Sequence, residues 1–132
     1  RGTLLWRVID YIETFRPKVF VIENVRGLLS AALRHRPLAK RPEKGGPPLE
    51  WDEEPGSVMR KFLADVRARL GADYRMDVFE VNAVNYGAPQ LRERAIFVGN
   101  RLGRVIELPQ PTHGQDGVPF ATLGDAIRGL HD

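Results

Sequence analysis

The 132-residue chain contains no cysteine. That absence excludes disulfides, thiolate metal sites and a cysteine nucleophile within these residues, and it fits a cytoplasmic location. Long apolar runs are also missing. Nothing approaches the ~20 residues needed to span a bilayer, so no membrane partner is expected. The run Val19 to Ile22 has the length of a strand, and the opening residues do not read as a signal peptide. Metal-ligand spacing is lacking too: His35, His113 and His131 stand apart, without clustered carboxylates, so no metal site is expected. His113, within Pro111-Thr112-His113, is read as structural. A strong charge bias is missing as well, because 20 Lys and Arg stand against 17 Asp and Glu. The sequence pI near 9.6 permits an anionic partner without demanding one. Arg1-Gly2-Thr3 enters a helical pattern with no initiator Met and no capping residue, and reads as cut from a longer chain.

What is present organises as one α/β unit over residues 1–132. Leu4, Leu5, Val8, Ile9, Ile12 and Phe15 recur at helical spacing across Thr3 to Phe15. Arg16-Pro17 ends that helix, since a residue before proline avoids helical dihedrals. Lys18-Val19-Phe20-Val21-Ile22 follows, rich in β-branched residues and apolar on both faces, as in a buried strand of a parallel sheet. Residues 34–56 hold half of the 10 prolines, with a basic first half and an acidic second half. A connection of this length reads as a mobile surface insertion, or as a basic arm near a DNA backbone. Ser57 is the expected N-cap of a helix running to Leu70, with Gly71 at its end. Tyr74 to Asn82 and Ala95 to Gly99 read as strands, Val105 to Leu108 as a short extended piece, and Thr122 as the cap of a last helix.

Two segments have side chains suited to chemistry. Glu23 is expected immediately after the buried strand, where α/β sheets bind ligands. A partly desolvated carboxyl there can serve as a proton donor; taken alone, a Glu after a strand is more often a solvated charge or a local hydrogen-bond partner, and Asn24 more often a turn former. In Gln90-Leu91-Arg92-Glu93-Arg94 an extended chain would project Gln90, Arg92 and Arg94 from one face. An amide and two guanidiniums can together hold a carboxylate, a phosphate and a base carbonyl. Taken alone, the same pattern is a solvent-facing charged edge.

Taken together, the two segments resemble the DNA cytosine-5 methyltransferase family. Phe20-Val21-Ile22-Glu23-Asn24-Val25 is similar to its Glu-Asn-Val motif, and Tyr86 to Arg94 to its Gln-x-Arg-x-Arg motif. Arg1-Gly2-Thr3-Leu4-Leu5 resembles the segment after the family's cysteine loop. Pro111-Thr112-His113 and Thr122 to Ile127 resemble the approach to its target-recognition region.

The resemblance implies the C-terminal half of a catalytic domain: a partial Rossmann-like, S-adenosylmethionine-dependent methyltransferase fold whose last strand pair is antiparallel. It implies that Glu23 binds the flipped cytosine and that Arg94 contacts the base O2. Asn24 would fix the backbone, Gln90 and Arg92 would organise the pocket and a nearby phosphate, and Leu4 would touch the cofactor. Double-stranded DNA is the implied partner, with an N-terminal half or complementary subunit supplying the Pro-Cys nucleophile loop and most of the S-adenosylmethionine pocket. The chain alone is expected to be inactive and prone to self-association. Two other readings stand beside this: a non-catalytic DNA-binding or regulatory module derived from such an enzyme, and a structural α/β fragment.

Overall fold

The computed structural model describes residues 3–114 and 117–130, so Arg1, Gly2 and His131 lie outside the described residues. Helix α1 spans Thr3–Phe15, as its apolar spacing requires. Leu5, Ile9 and Ile12 are buried, while Leu4 and Phe15 of the same expected stripe are exposed. The apolar arc is wider than the surface α1 packs on, so only its centre is covered. Arg16 ends the helix in the left-handed region (φ 46°) and donates its N–H to the Ile12 carbonyl at 2.9 Å. Its guanidinium lies 5.4 Å from the Tyr74 ring centroid and pairs with Asp73, contacts that offset an unfavourable backbone angle.

Strand β1 spans Val19–Val25, β2 Arg75–Asn82 and β3 Glu93–Asn100. The sheet order is β1-β3-β2, with β3 antiparallel to both neighbours. The antiparallel pairing of the last two strands is therefore present. Two expectations for β1 are corrected. It continues through Glu23 and Asn24, because Glu23 pairs opposite Ile96 and Asn24 opposite Ala95. Nor is it covered on both faces within a parallel sheet: its only ladder among the described residues is antiparallel, and Val19, Val21 and Val25 are exposed.

Helix α2 (Ser57–Leu70) crosses from β1 to β2 and buries Met59, Phe62, Val66 and Leu70 at spacings of three and four. Gly71, at φ 68°, ends it as expected. Its start differs from expectation. Gly56 is the N-cap residue, and Ser57 lies inside the helix. The buried Ser57 hydroxyl instead donates to the Asp52 carbonyl and accepts from the Leu33 N–H, both at 3.0 Å. Two backbone groups, one just before the insertion and one within it, compete successfully for the oxygen that would have capped the helix.

One face of the sheet meets both helices. Phe62 sits edge-on to Trp6 and to Phe97, with centroids 6.1 and 6.3 Å away. Phe97, Ala95 and Ile9 are wholly buried around them. Phe20 crosses β3 at Gly99, where a Cβ would come within 1.9 Å of its ring; only glycine permits that approach. The opposite face is covered only in part. Near β2 the chain after β3 folds back, Asn100 holding the turn through the N–H groups of Leu102 and Arg104 (both 3.1 Å) and Ile106 donating to Asp77. Val105 to Leu108 forms no strand ladder; that single bond to a side chain anchors it. Helix α3 (Leu123–Ile127) has the expected Thr122 cap, completed as a capping box by Asp125, and ends before Leu130.

Candidate functional site

The site is built at the end of the β1–β3 ladder. Register places Val25 opposite Arg94, which puts Glu23 diagonally across from Arg94 on the same face. The Arg94 Nε donates to Glu23 Oε1, and its Nη1 donates to the Glu93 carbonyl at 2.8 Å. The Arg94 side chain is mostly covered, at 20% exposure, whereas the Glu23 side chain is 54% exposed. Residues 71 positions apart in sequence thus form one contact, with the carboxylate presented to solvent.

The other expected site residues are placed differently. Asn24 points to the opposite sheet face from Glu23, as alternation requires, and its Oδ1 accepts from the Val25 N–H at 2.8 Å. Gln90 lies in a bend before β3, outside the strand, so it does not share the strand-face relation of Arg92 and Arg94 expected from an extended chain. Arg92 is exposed immediately before β3, and its backbone is pinned twice: its N–H donates to Asn82 Oδ1 at 2.9 Å, and its carbonyl accepts from Ala83 at 3.0 Å. Leu4, on the first turn of α1, is 77% exposed.

Sequence reasoning missed two supporting residues. Arg26 follows β1 in a short 3-10 turn (Arg26–Ser30) and joins all three strands at this end. Its guanidinium reaches Glu80 on β2 at 2.5 Å and Glu93 on β3 at 3.1 Å. The Glu93 hydrogen bond and the nearby carboxylates raise the Arg26 pKa further above its already high ordinary value. Asn82 is the second, bridging the end of β2 to Arg92. An Asn at a strand end is a turn signal, so Asn82 had a local cue. Arg26 had none, because its partners lie far along the chain.

His113 rests on Gly87, where a Cβ would stand 2.9 Å from the ring; Gly87 has φ 90°. The N–H groups of Thr112 and His113 both donate to the Asn85 carbonyl, at 2.9 and 3.0 Å. This stitches Pro111-Thr112-His113 to the turn that precedes Gln90, in keeping with a structural His113. Among the described residues, no three His, Asp or Glu side chains are grouped to hold a metal ion. No helix there is long and apolar enough to cross a membrane.

The chain is similar to known DNA methyltransferases. The sequence profile of the C-5 cytosine-specific DNA methylases matches residues 1–39, which include Glu23 and Asn24. Over 98% of its length the chain is 28% identical to the type II methyltransferase M.AquIA of Picosynechococcus sp., covering 50% of that protein. It is 35% identical to the type II methyltransferase M.BspRI of Lysinibacillus sphaericus, again over 98% of the chain but only 26% of the relative. The chain thus spans half or less of these relatives. The fold is shared with a prophage-encoded DNA modification methyltransferase of E. coli, at TM-score 0.58 and 20% identity, covering 99% of this chain and 30% of that one. Residues 1–39 thus match the C-5 cytosine-specific DNA methylase family, and nearly the whole chain is similar to part of type II methyltransferases.

Proposed function

We propose that the chain shapes the cytosine pocket of a DNA cytosine-5 methyltransferase, in which Glu23 and Arg94 grip the flipped base. The observation that carries this reading is the direct Glu23–Arg94 contact between β1 and β3. A carboxyl and a guanidinium side by side match the edge of cytosine: the carboxyl can meet N3 and the exocyclic amine, and the guanidinium can meet O2. Base entry would exchange the Glu23–Arg94 contact for those base contacts. The base must first leave the duplex, since its reacting carbon is unreachable within the stack.

Arg26 is a positioning residue in this reading, because it holds the ends of β1, β2 and β3 together. Arg92 and Gln90, exposed beside the pocket, face the flanking phosphate, and Asn24 steadies the backbone of β1 from its far face. Attack on C6 requires a thiolate, and no side chain here supplies one. The chain alone is therefore inactive. A cysteine-bearing N-terminal half or complementary subunit completes it, and the open β1 face with Val19, Val21 and Val25 suits such a partner or self-association.

S-adenosylmethionine is the methyl donor that the family resemblance implies. The residues present do not make its site. Leu4 is exposed on the first turn of α1 and supplies at most one part of its wall. The completed protein would act in the cytoplasm as a partially Rossmann-like enzyme on double-stranded DNA.

The test is a tritiated-methyl transfer assay on this chain mixed with a cysteine-containing N-terminal half. Restored transfer is expected, falling by about 10²-fold or more with Glu23→Gln or Arg94→Ala at unchanged folding. Transfer by the chain alone would overturn its predicted inactivity. Salt-dependent DNA binding without restored transfer would favour a regulatory module instead.

A further inference from the structure

Arg94 stands where both ladders of the sheet end. Val25 opposite Arg94 is the last pair of β1 with β3, and Asn82 opposite Glu93 is the last pair of β2 with β3. Ladder ends fray unless the chain beyond them is fixed. Beyond this end lies the β2–β3 connection, residues 83–92, which opens as a 3-10 turn (Ala83–Tyr86) closed by Gly87. Val84 is its one buried residue, and Pro89 to Leu91 are exposed. Apolar packing therefore does little to order it. Its own ties are few: Ala83 donates to the Arg92 carbonyl at 3.0 Å, and Ala88 donates to the Ala83 carbonyl at 3.2 Å.

A second segment grips the turn from outside. In the strap formed by residues 109–114, the N–H groups of Thr112 and His113 converge on the Asn85 carbonyl. The Tyr86 hydroxyl donates to the Pro109 carbonyl at 3.1 Å. The His113 ring lies against Gly87, and the Thr112 hydroxyl, 2.9 Å from its Nδ1, fixes the ring's rotation. The strap is held from behind as well. Gly114 donates to the Val118 carbonyl at 3.0 Å, Val118 donates to the Thr112 carbonyl at 3.1 Å, and the Phe120 ring lies beside Gly114. Pro109 to Thr112 are exposed, so the strap buries little apolar surface. Its grip falls on the turn that runs on into Arg92, Glu93 and Arg94.

We infer that His113 is a positioning residue for the base pocket. Its ring on Gly87, with the paired N–H groups on Asn85, fixes the turn; the tie from Ala83 to Arg92 then holds the start of β3, and so sets Arg94 against Glu23. A side chain that must meet a base is accurate only when the segment carrying it is itself held. The inference rests on the reading of Glu23 and Arg94 as the pair that grips the base. It gives the strap, which touches neither residue, a part in that grip.

The experiment follows hydrogen exchange by NMR in the 132-residue chain, at the backbone amides and at the Arg94 Nε–H. His113→Ala should speed exchange of the Ala88 and Arg92 amides and of the Arg94 Nε–H by about tenfold, while the Phe97 and Val98 amides stay within about twofold. His113→Phe keeps a flat ring on Gly87 and should restore most of the protection. His35→Ala, which removes an exposed histidine of the insertion, serves as the control and should change none of these rates. Unchanged exchange at Arg92 and Arg94 in His113→Ala overturns the inference. So does an equal loss throughout β3 with a lowered melting temperature, which would mark a residue that only stabilises the fold. No recovery in His113→Phe overturns the role given to the ring. The base-pocket reading is judged separately, by methyl transfer of Arg94→Ala with the complementary half, and its failure would leave these exchange rates as they are.

Discussion

The helix-covered core and the 34–56 insertion are held by different physics. The core closes through apolar contact, with Phe62 between Trp6 and Phe97 and Ile9 wholly buried. The insertion has few such contacts. It is held by Arg34 on Asp52, by Arg36 on Glu53 and two carbonyls, and by the Ser57 hydroxyl tying it to α2. Apolar burial is insensitive to pH and long in reach along the chain, whereas ion pairs depend on the charge state of each partner. The contrast assigns stability to one region and a charge-dependent surface to the other.

The largest effect should come from the core. Phe62→Ala should cost about 3–5 kcal/mol, the usual result of emptying a buried aromatic site. Urea unfolding measures it, and a cost below about 1 kcal/mol would place the core elsewhere. Gly99→Ala should cost less, about 1–3 kcal/mol, because the Phe20 ring must move from over β3. Combining it with Phe20→Leu should recover part of that loss; no recovery would mean the clash is relieved by the backbone.

The smallest global effect is expected from acid, and it separates the two regions most cleanly. The hydrogen bond from Arg34 holds the Asp52 carboxyl below its ordinary value, and that from Arg36 does the same for Glu53. Depressed carboxylate pKa values stabilise the fold above the unfolded value, about 4, and that contribution is lost as pH falls through the lower folded values. Below about pH 4 the amides of residues 34–56 should therefore lose hydrogen-exchange protection before those of β3. Simultaneous loss in both regions would show that the insertion and core unfold as one unit.

Much of this was legible in the residues. The apolar spacing of α1 and α2, Gly71 after α2 and the Thr122 cap all act over a few positions, so local pattern suffices to read them. The motif order also singled out Glu23 and Arg94 as partners. Other features depended on distant segments. Ser57 looked like a cap until Asp52 and Leu33 claimed its hydroxyl. Glu23 looked like a residue beyond its strand until pairing with Ile96 kept β1 extended through it. Gln90 looked like a strand neighbour of Arg94, but the chain bends before β3 begins.

The sequence by itself determined where the main helices and strands lie and that no thiolate is available within these residues. Periodicity and composition are local properties, and family motifs carry residue identity. Only the tertiary structure decided the antiparallel insertion of β3 between β1 and β2, the Glu23–Arg94 contact and the clip made by Arg26. Each of these depends on register or on competition among charges, and neither is fixed until distant parts of the chain meet.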